Sequence, residues 1–163
     1  MSVQSLLVFA LVLALGALWI LVGWVPNSNP FPNVIPLGCA QTVSINGHSI
    51  NVELAQTPKE QEQGLMERAS LEKNQGMLFL FALPGTYSFW MKNTLIPLDI
   101  VFLDSGKRIV YIVSALPCKE ALCPSFTPPK PVQFVLEVPG SAAHEFGWKA
   151  GDQALFQLCN ETS

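Results

Sequence analysis

The N-terminal end of this chain constrains its fold most, because no Asp, Glu, Lys or Arg appears before Glu53. Within that end, Leu6 to Val25 forms an uninterrupted run of uncharged, mostly apolar residues. A helix of about 20 residues, rising about 1.5 Å per residue, matches the roughly 30 Å hydrocarbon core of a bilayer. The run therefore predicts a transmembrane anchor over residues 1–25.

A cleaved signal peptide is the alternative interpretation of the same run. The apolar core of a signal peptide spans roughly 7 to 15 residues and ends at a small-x-small cleavage site. This run instead ends in Trp24 and Pro26, and Trp is favoured at a membrane interface. A lipoprotein cleavage site at Cys39 is disfavoured, because the apolar run ends well upstream of it. The flanks thus favour an uncleaved anchor.

The rest of the chain divides into a spacer and one domain. Residues 26–37 are rich in proline, which stiffens the backbone toward extended conformations and removes amide donors. Residues 38–163 are enough for one domain with its own core and too few for two of ordinary size. The predicted organisation is a transmembrane anchor over 1–25, a linker over 26–37 and a β-rich domain over 38–163.

The four cysteines predict the compartment, since the N-terminal flank carries too little charge to orient the anchor. An even number of cysteines in a small domain behind a membrane segment favours disulfides and an oxidising environment. Cys118 and Cys123 would close a local loop, and Cys39 and Cys159 would join the ends of the domain. A four-cysteine zinc site is the alternative, but its ligands would be split across the domain. We therefore expect an extracytoplasmic domain, periplasmic or extracellular, with no metal and no cofactor.

The net charge of −3 argues against a nucleic-acid partner, because no basic run is present to neutralise phosphates. The expected partners are the membrane, through the N-terminal helix, and a small polar or anionic ligand or another envelope protein.

The pattern of the domain indicates short strands joined by turns. Alternating apolar residues flank Asn46-Gly47, the pair that suits a two-residue hairpin turn. Thr57, Pro58 and Glu60 predict a capped helix that reaches about Glu67, and Ser141 predicts the cap of a second one. Apolar runs elsewhere predict the remaining strands. The expected fold is mainly β (α+β), a compact antiparallel barrel or rolled sheet of about seven or eight strands with two short helices.

Four motifs occur in order along the domain: "GLMER", "GMLFLF", "SFWMKNTLIPLDIVFLD" and "FVLEVPGSAAHEFGWKAGDQ". With them the chain resembles the bacterial and archaeal family catalogued as domain of unknown function 192, from about Val43 to Leu158. The resemblance implies a compact, mostly β structure that is exported or membrane-tethered, and it implies no activity. The positions that match the family's polar and aromatic signature are Arg68, Trp90, Met91, Lys92, Asn93, Thr94 and Asp99.

The candidate site is the loop Lys92-Asn93-Thr94, which lies between two apolar segments that hold it rigidly. Binding residues are often displayed on such loops. Lys92 would supply positive charge with Arg68, Asn93 and Thr94 would supply directional hydrogen bonds, and Trp90 or Met91 would form an apolar wall. In the alternative interpretation, Asn93 and Thr94 satisfy the turn backbone and Lys92 pairs with Asp99.

Catalytic chemistry is less well supported by the sequence. Asp99 precedes an apolar run and needs a partner, and Glu137 on another predicted strand could complete a pair of carboxylates. A surface position is the alternative for Glu137. The leading hypothesis is therefore a membrane-anchored exoplasmic ligand-binding or protein-interaction domain. A cell-envelope hydrolase and a structural accessory subunit of a membrane complex are the alternatives.

Overall fold

The computed structural model describes residues 40–120 and 122–159, which form nine strands and two short helices. In chain order they are β1 Thr42–Ile45, β2 His48–Ala55, α1 Pro58–Gln63, β3 Gln75–Gly85, β4 Phe89–Trp90, β5 Leu98–Leu103, β6 Ile109–Ala115, β7 Ser125–Phe126, β8 Val132–Pro139, α2 Ala142–Glu145 and β9 Ala154–Gln157.

Seven of these strands form one sheet in the order β6-β5-β8-β3-β2-β1-β9, and β4 pairs with β7 in a separate ribbon. All pairs in the sheet are antiparallel except β2 and β3, which are parallel and are connected through α1. The sheet curls into a half-barrel, which confirms the mainly β, rolled-sheet prediction with two short helices. The segment "TYSFWM" follows β3 in the chain but does not pair with it, because its strand β4 pairs with β7 instead.

The two edges of the curled sheet meet at one end. A bridge joins Arg108, just before β6, to Gln153, just before β9. On either side of it, the Ile109 amide donates to the Asp152 carbonyl and the Ala154 amide donates to the Lys107 carbonyl, both at 2.9 Å. Edge strands that hydrogen-bond each other leave fewer unpaired backbone groups, so this contact stabilises the curl.

Each face of the sheet is covered by its own apolar cluster. All seven strands of the sheet contribute to the first, which packs around Trp148 and α2. The second lies on the opposite face of β3, β5 and β8, and it is covered by Leu65 and Met91 from the loops. Neighbouring residues of a strand point to opposite faces of the sheet. A register shift of one residue in β5 or β8 would therefore move each side chain of that strand from one cluster to the other.

The hairpin and the first helix form as their sequences predict. Asn46 and Gly47 both have positive φ, at 50° and 83°, as a type I′ turn requires. At α1, Thr57 and Glu60 form the predicted capping box. The helix ends at Gln63 rather than near Glu67, because Gly64 takes φ 46° and ψ −134° and turns the chain away. This conformation is open to glycine and strained for other residues.

The start of α2 differs from the prediction. Ser141 is the N-cap residue, but it has φ 76° and its side chain makes no capping hydrogen bond. Instead, Asp99 Oδ2 on β5 accepts a 2.8 Å hydrogen bond from the Ala143 amide. The cap is therefore supplied by a residue distant in sequence, which no local motif could indicate.

The three cysteines in the described part of the chain are all disulfide-bonded. Cys118 and Cys123 form the predicted local disulfide. Cys159 is also disulfide-bonded, and its predicted partner Cys39 lies outside the described residues. The predicted anchor over 1–25 and linker over 26–37 lie outside them as well. Within the described part of the chain, neither helix has the length and apolar character needed to cross a bilayer.

Candidate functional site

The predicted loop Lys92-Asn93-Thr94 is a tight turn held by its own backbone. The Thr94 amide donates to the Met91 carbonyl at 3.1 Å, and the Glu67 amide donates to the Asn93 carbonyl at 2.8 Å. Asn93 has φ 56°, a left-handed conformation that Asn tolerates better than most residues. These contacts explain why Asn suits the middle of the turn without any ligand.

The side chains of the loop divide between core and surface. Met91 and Thr94 are buried, whereas Lys92 and Asn93 are exposed and Trp90 is 49% exposed. Lys92 Nζ lies 5.2 Å from the centroid of the Trp90 ring, a cation–π arrangement. Lys92 therefore packs on the exposed tryptophan and not against Asp99.

Arg68 is paired with Glu53 on β2. Its guanidinium donates to both carboxylate oxygens of Glu53, Nη1 to Oε1 at 2.5 Å and Nη2 to Oε2 at 2.6 Å. The hydrogen bond from Arg68 lowers the pKa of Glu53. In this fork-like pair two of the guanidinium donors are used and its charge is balanced by Glu53, so Arg68 does not bring to the loop the unpaired positive charge that the sequence suggested.

Asp99 is fully buried and its two carboxylate oxygens are satisfied. Oδ1 accepts from the Ser114 hydroxyl at 2.6 Å, and Oδ2 accepts the α2 amide described above. In the β5–β8 register Asp99 lies opposite Val138, whereas Glu137 lies opposite Ile100. Asp99 and Glu137 therefore point to opposite faces of the sheet, and the pair of carboxylates considered for hydrolysis is not formed.

Glu137 is the unexpected residue of this domain. It lies on β8, a central strand, and is 5% exposed, so the surface position considered for it is wrong. Its Oε2 atom is buried and has no hydrogen-bond partner among the described residues. Burial raises the pKa of the Glu137 carboxyl to about 8, because desolvation disfavours the charged form. At neutral pH this side chain is mainly a protonated carboxylic acid.

A small cavity of about 30 Å³ lies against the Glu137 carboxyl. The end of α1 and the turn after it form one wall, and a Cβ atom placed on Gly64 would lie 3.8 Å from Glu137 Oε2. The residues that line it are Gln61, Glu62, Gln63, Gly64, Leu65, Met66, Phe79, Phe89, Trp90, Thr94 and Glu137. Glycine at position 64 thus keeps the space above the carboxyl open.

A larger cleft of about 400 Å³ shares a wall with this cavity. Its lining is Gln61, Glu62, Phe79, Phe81, Thr86, Tyr87, Ser88, Phe89 and Trp90. Phe81 and Tyr87 are stacked with ring centroids 3.6 Å apart, and Phe79 meets Phe89 edge to face at 4.9 Å. We name the two cavities together the Glu137 cleft. Its larger part is lined mainly by aromatic side chains, and its smaller part is lined by the buried Glu137.

The polar side chains that line the Glu137 cleft are neutral or acidic. Among the described residues, neither cavity is lined by Lys, Arg or His, and Glu62 is the second carboxyl. The side-chain amide of Gln61 is hydrogen-bonded to the backbone, since its Nε2 donates to the Leu80 carbonyl at 2.8 Å. No group of three His, Cys, Asp or Glu side chains in the described part of the chain is arranged to hold a metal ion.

Comparison with known proteins places this chain in a family. The family model described as DUF192, uncharacterised ACR, matches residues 41–156, which is more than half of the chain. The chain belongs to this family. No match is found among curated proteins.

Two solved structures resemble this member of DUF192. A protein of unknown function from Novosphingobium aromaticivorans is 37% identical, with a TM-score of 0.66 over 76% of this chain and 91% of its own. A protein of Sinorhizobium meliloti, named as a candidate transcription regulator, is 35% identical, with a TM-score of 0.66 over 71% of this chain and 92% of its own. Both likenesses agree with the family assignment.

The sequence indicated part of the cleft of this DUF192 member. Trp90 and Thr94 line it, whereas Arg68, Met91, Lys92, Asn93 and Asp99 do not. The sequence suggested Glu137 only as half of a pair of carboxylates or as a surface residue. In "VQFVLEV" it shares a strand face with Gln133 and Val135, opposite four apolar residues, and this alternation favours an exposed position for it. The phenylalanines could not be told from ordinary core residues.

Proposed function

We propose that this protein is a membrane-tethered, extracytoplasmic domain that binds a small organic molecule in the Glu137 cleft. The observation that carries the proposal is the buried Oε2 atom of Glu137, which has no hydrogen-bond partner among the described residues and lies in a cavity of about 30 Å³ that shares lining residues with an aromatic cleft of about 400 Å³. Ligand sites are typically clefts of this size, mostly apolar, with a few fixed polar groups. A buried polar atom without a partner costs free energy, and a bound ligand removes that cost.

The rigidity of the walls supports binding over a purely structural role. Phe89 contacts Phe79, Phe81 and Phe102 edge to face, at centroid distances of 4.9 to 6.5 Å. Side chains fixed by such packing lose little entropy when a ligand arrives, which favours affinity. Trp90 completes the wall and is half-exposed, so one side of the cleft remains accessible to solvent.

The binding test uses three six-carbon probes of different charge: hexanol, hexanoate and hexylammonium. We expect at least one to bind the full-length chain in detergent, as measured by saturation-transfer NMR. Trp90→Ala should weaken that binding about tenfold, because it removes a wall. Leu155→Ala is the matched control, since Leu155 is also exposed but lies on β9, away from the cleft. Partitioning into detergent is the same for all variants, so it cancels in the comparison.

Two outcomes would contradict the binding proposal. One is that none of the three probes binds the wild-type chain. The other is that Trp90→Ala and Leu155→Ala bind equally well, which would place the probes in detergent or elsewhere on the protein.

The location is the second part of the proposal. It is supported by the apolar run Leu6 to Val25 and by the Cys118–Cys123 disulfide, a bond typical of oxidising compartments. Expressed in a bacterial host, the chain should stay in the membrane fraction after a carbonate wash. Protease added outside spheroplasts should digest the domain. Release by carbonate, or protection from the protease until the cells are lysed, would contradict the proposed location.

A further inference from the structure

The chemistry of the Glu137 cleft narrows the class of ligand, and this inference rests on the binding function proposed above. We propose that the ligand is a primary amine with an apolar tail, whose ammonium group pairs with the Glu137 carboxylate while the tail lies against the aromatic walls. The tail would occupy the larger part of the cleft, and the ammonium group the smaller.

The shape of the small cavity fits the ammonium group. Its volume of about 30 Å³ exceeds the minimum of roughly 10–15 Å³ that one water molecule needs. An ammonium group has three N–H donors and no acceptor, so it complements an acceptor that has no partner. The buried Oε2 atom of Glu137 is such an acceptor. A carboxylate on the ligand could bind only while Glu137 stays protonated and donates to it, and no basic side chain among the lining residues would balance its charge.

The aromatic rings also favour a cation. Phe79, Phe89 and Trp90 line both parts of the cleft. The faces of aromatic rings attract ammonium groups, and this attraction strengthens where water is excluded. Trp90 already carries one cation, because Lys92 Nζ lies over its ring at 5.2 Å. Phe79 and Phe89 offer the same type of contact to a ligand inside the cleft.

The charges around the cleft disfavour an anion. No basic side chain of the described residues lines either part, and Glu62 adds a second carboxyl. The anionic ligand considered from Lys92 and Arg68 has no support here, since Lys92 packs on Trp90 and Arg68 is paired with Glu53. The net charge of −3 also favours the approach of a cation.

The remaining alternative is that the ligand is uncharged and accepts a hydrogen bond from protonated Glu137. The two classes of ligand differ in whether a proton is released when the complex forms. An ammonium ion pairs with the ionised carboxylate, so the Glu137 proton passes to solvent as the complex forms. An uncharged acceptor keeps that proton in place. Glu62 is the other titratable side chain that lines the small cavity, and no charged group of β3, β4 or β5 is among its lining residues.

The pH dependence of affinity separates the two cases. An amine resembling the lysine side chain has a pKa near 10.4 and stays charged from pH 6 to 8. Over this range, hexylammonium should bind about ten times more tightly for each unit of pH, because ionising Glu137 becomes easier. Isothermal titration in two buffers with different ionisation heats should show about one proton released per ligand at pH 6 to 7.

Glu137→Gln provides the decisive variant for the full-length chain. The amide keeps the shape of the side chain but cannot become an anion, so hexylammonium affinity should fall at least tenfold at pH 8 and lose its pH dependence. Glu72→Gln is the control, because Glu72 is exposed and lies outside the lining of both cavities. It should leave the affinity and the proton release unchanged. Circular dichroism checks that Glu137→Gln is folded.

Each result of this comparison decides the inference. It is overturned if hexanol or hexanoate binds more tightly than hexylammonium, or if hexylammonium binds with no proton release below pH 8. Where hexanol or hexanoate binds and depends on Trp90, the proposed binding function still stands and only the ligand class is wrong. Where no probe binds at all, the binding function falls as well.

Discussion

Two buried carboxyl groups lie on neighbouring strands of this sheet and have opposite surroundings. Asp99 on β5 accepts one hydrogen bond from the Ser114 hydroxyl and one from an amide of α2. Glu137 on β8 has a buried oxygen with no hydrogen-bond partner in the described part of the chain. Both are at most 5% exposed, so burial alone does not distinguish them.

This difference distinguishes Asp99, a residue that stabilises the fold, from Glu137, a residue of the proposed binding site. Asp99 points into the cluster that all seven strands of the sheet share, and its carboxylate connects β5 to β6 and to α2. Glu137 points to the other face, toward a cavity. A satisfied buried carboxylate is explained by the fold it stabilises. An unsatisfied one costs stability in the absence of a partner, and such groups are characteristic of functional sites.

The largest effect that we predict is a loss of stability between about pH 4.5 and pH 8. The ordinary pKa of a glutamate is 4.5, and burial raises the pKa of folded Glu137 to about 8. Between these values the unfolded chain has released a proton that the folded chain still binds, so rising pH favours unfolding. The free energy of unfolding should fall by on the order of 4 kcal/mol across this window and level off above it.

Urea unfolding at several pH values tests this prediction against Glu137→Gln. The variant cannot ionise at position 137, so the loss should be absent from it. The other carboxyls titrate in both proteins and cancel in the difference. If wild type and Glu137→Gln keep parallel stability curves from pH 4.5 to pH 8, Glu137 is not desolvated as described, and its contrast with Asp99 disappears.

The second prediction concerns the satisfied carboxylate. Asp99→Ala removes the acceptor of the buried Ala143 amide and of the Ser114 hydroxyl, so we expect about 3 kcal/mol lower stability in urea unfolding at pH 7. Asp99→Asn keeps one acceptor oxygen and should lose less. A cost of Asp99→Ala below that of Glu137→Ala would reverse the assignment of scaffold and site.

The sequence predicted the features of this fold that depend on neighbouring residues. The Asn46-Gly47 turn and the Thr57–Glu60 capping box are read from short motifs, and both form as expected. The strands of "GMLFLF" and "VQFVLEV" follow from apolar runs. Their partners did not follow, because pairing depends on contacts distant in sequence.

The arrangement of the candidate site depends on this pairing of strands, which the sequence does not reveal. That Asp99 caps α2, and that Glu137 points away from Asp99, is fixed by the β5–β8 register. A register shift of one residue would bring both carboxyls to the same face, and the sequence contains both possibilities. Polar motifs drew attention to the loop at Lys92, whereas the space beside Glu137 arises from Gly64 on another element.

The third prediction compares two glycines with positive φ. Gly64 lies beside Glu137, and a Cβ there would meet Phe79 Cζ at 3.2 Å, whereas Gly147 beyond α2 has open space around it. Ala at Gly147 should cost about 1 kcal/mol through backbone strain alone. Ala at Gly64 should cost about 2 kcal/mol or more, since crowding and a less favourable ψ add to the strain. Equal costs in thermal or urea unfolding would show that the Glu137 cleft is not tightly walled at Gly64.

The smallest predicted effect is the loss of the solvent-exposed ion pair between Arg68 and Glu53. The Glu53 side chain is 57% exposed and its partner Arg68 is 35% exposed, so their attraction is screened by solvent. Arg68→Ala should therefore lower the free energy of unfolding by only about 0.5 kcal/mol, less at high salt, and should leave probe binding unchanged. Urea unfolding at low and high salt measures the first expectation, and the six-carbon probes measure the second. A loss of binding in Arg68→Ala would show that the guanidinium contributes to the binding site. The missing hydrogen-bond partner of Glu137 Oε2 among the described residues would then no longer distinguish the binding residues of this protein from its structural ones.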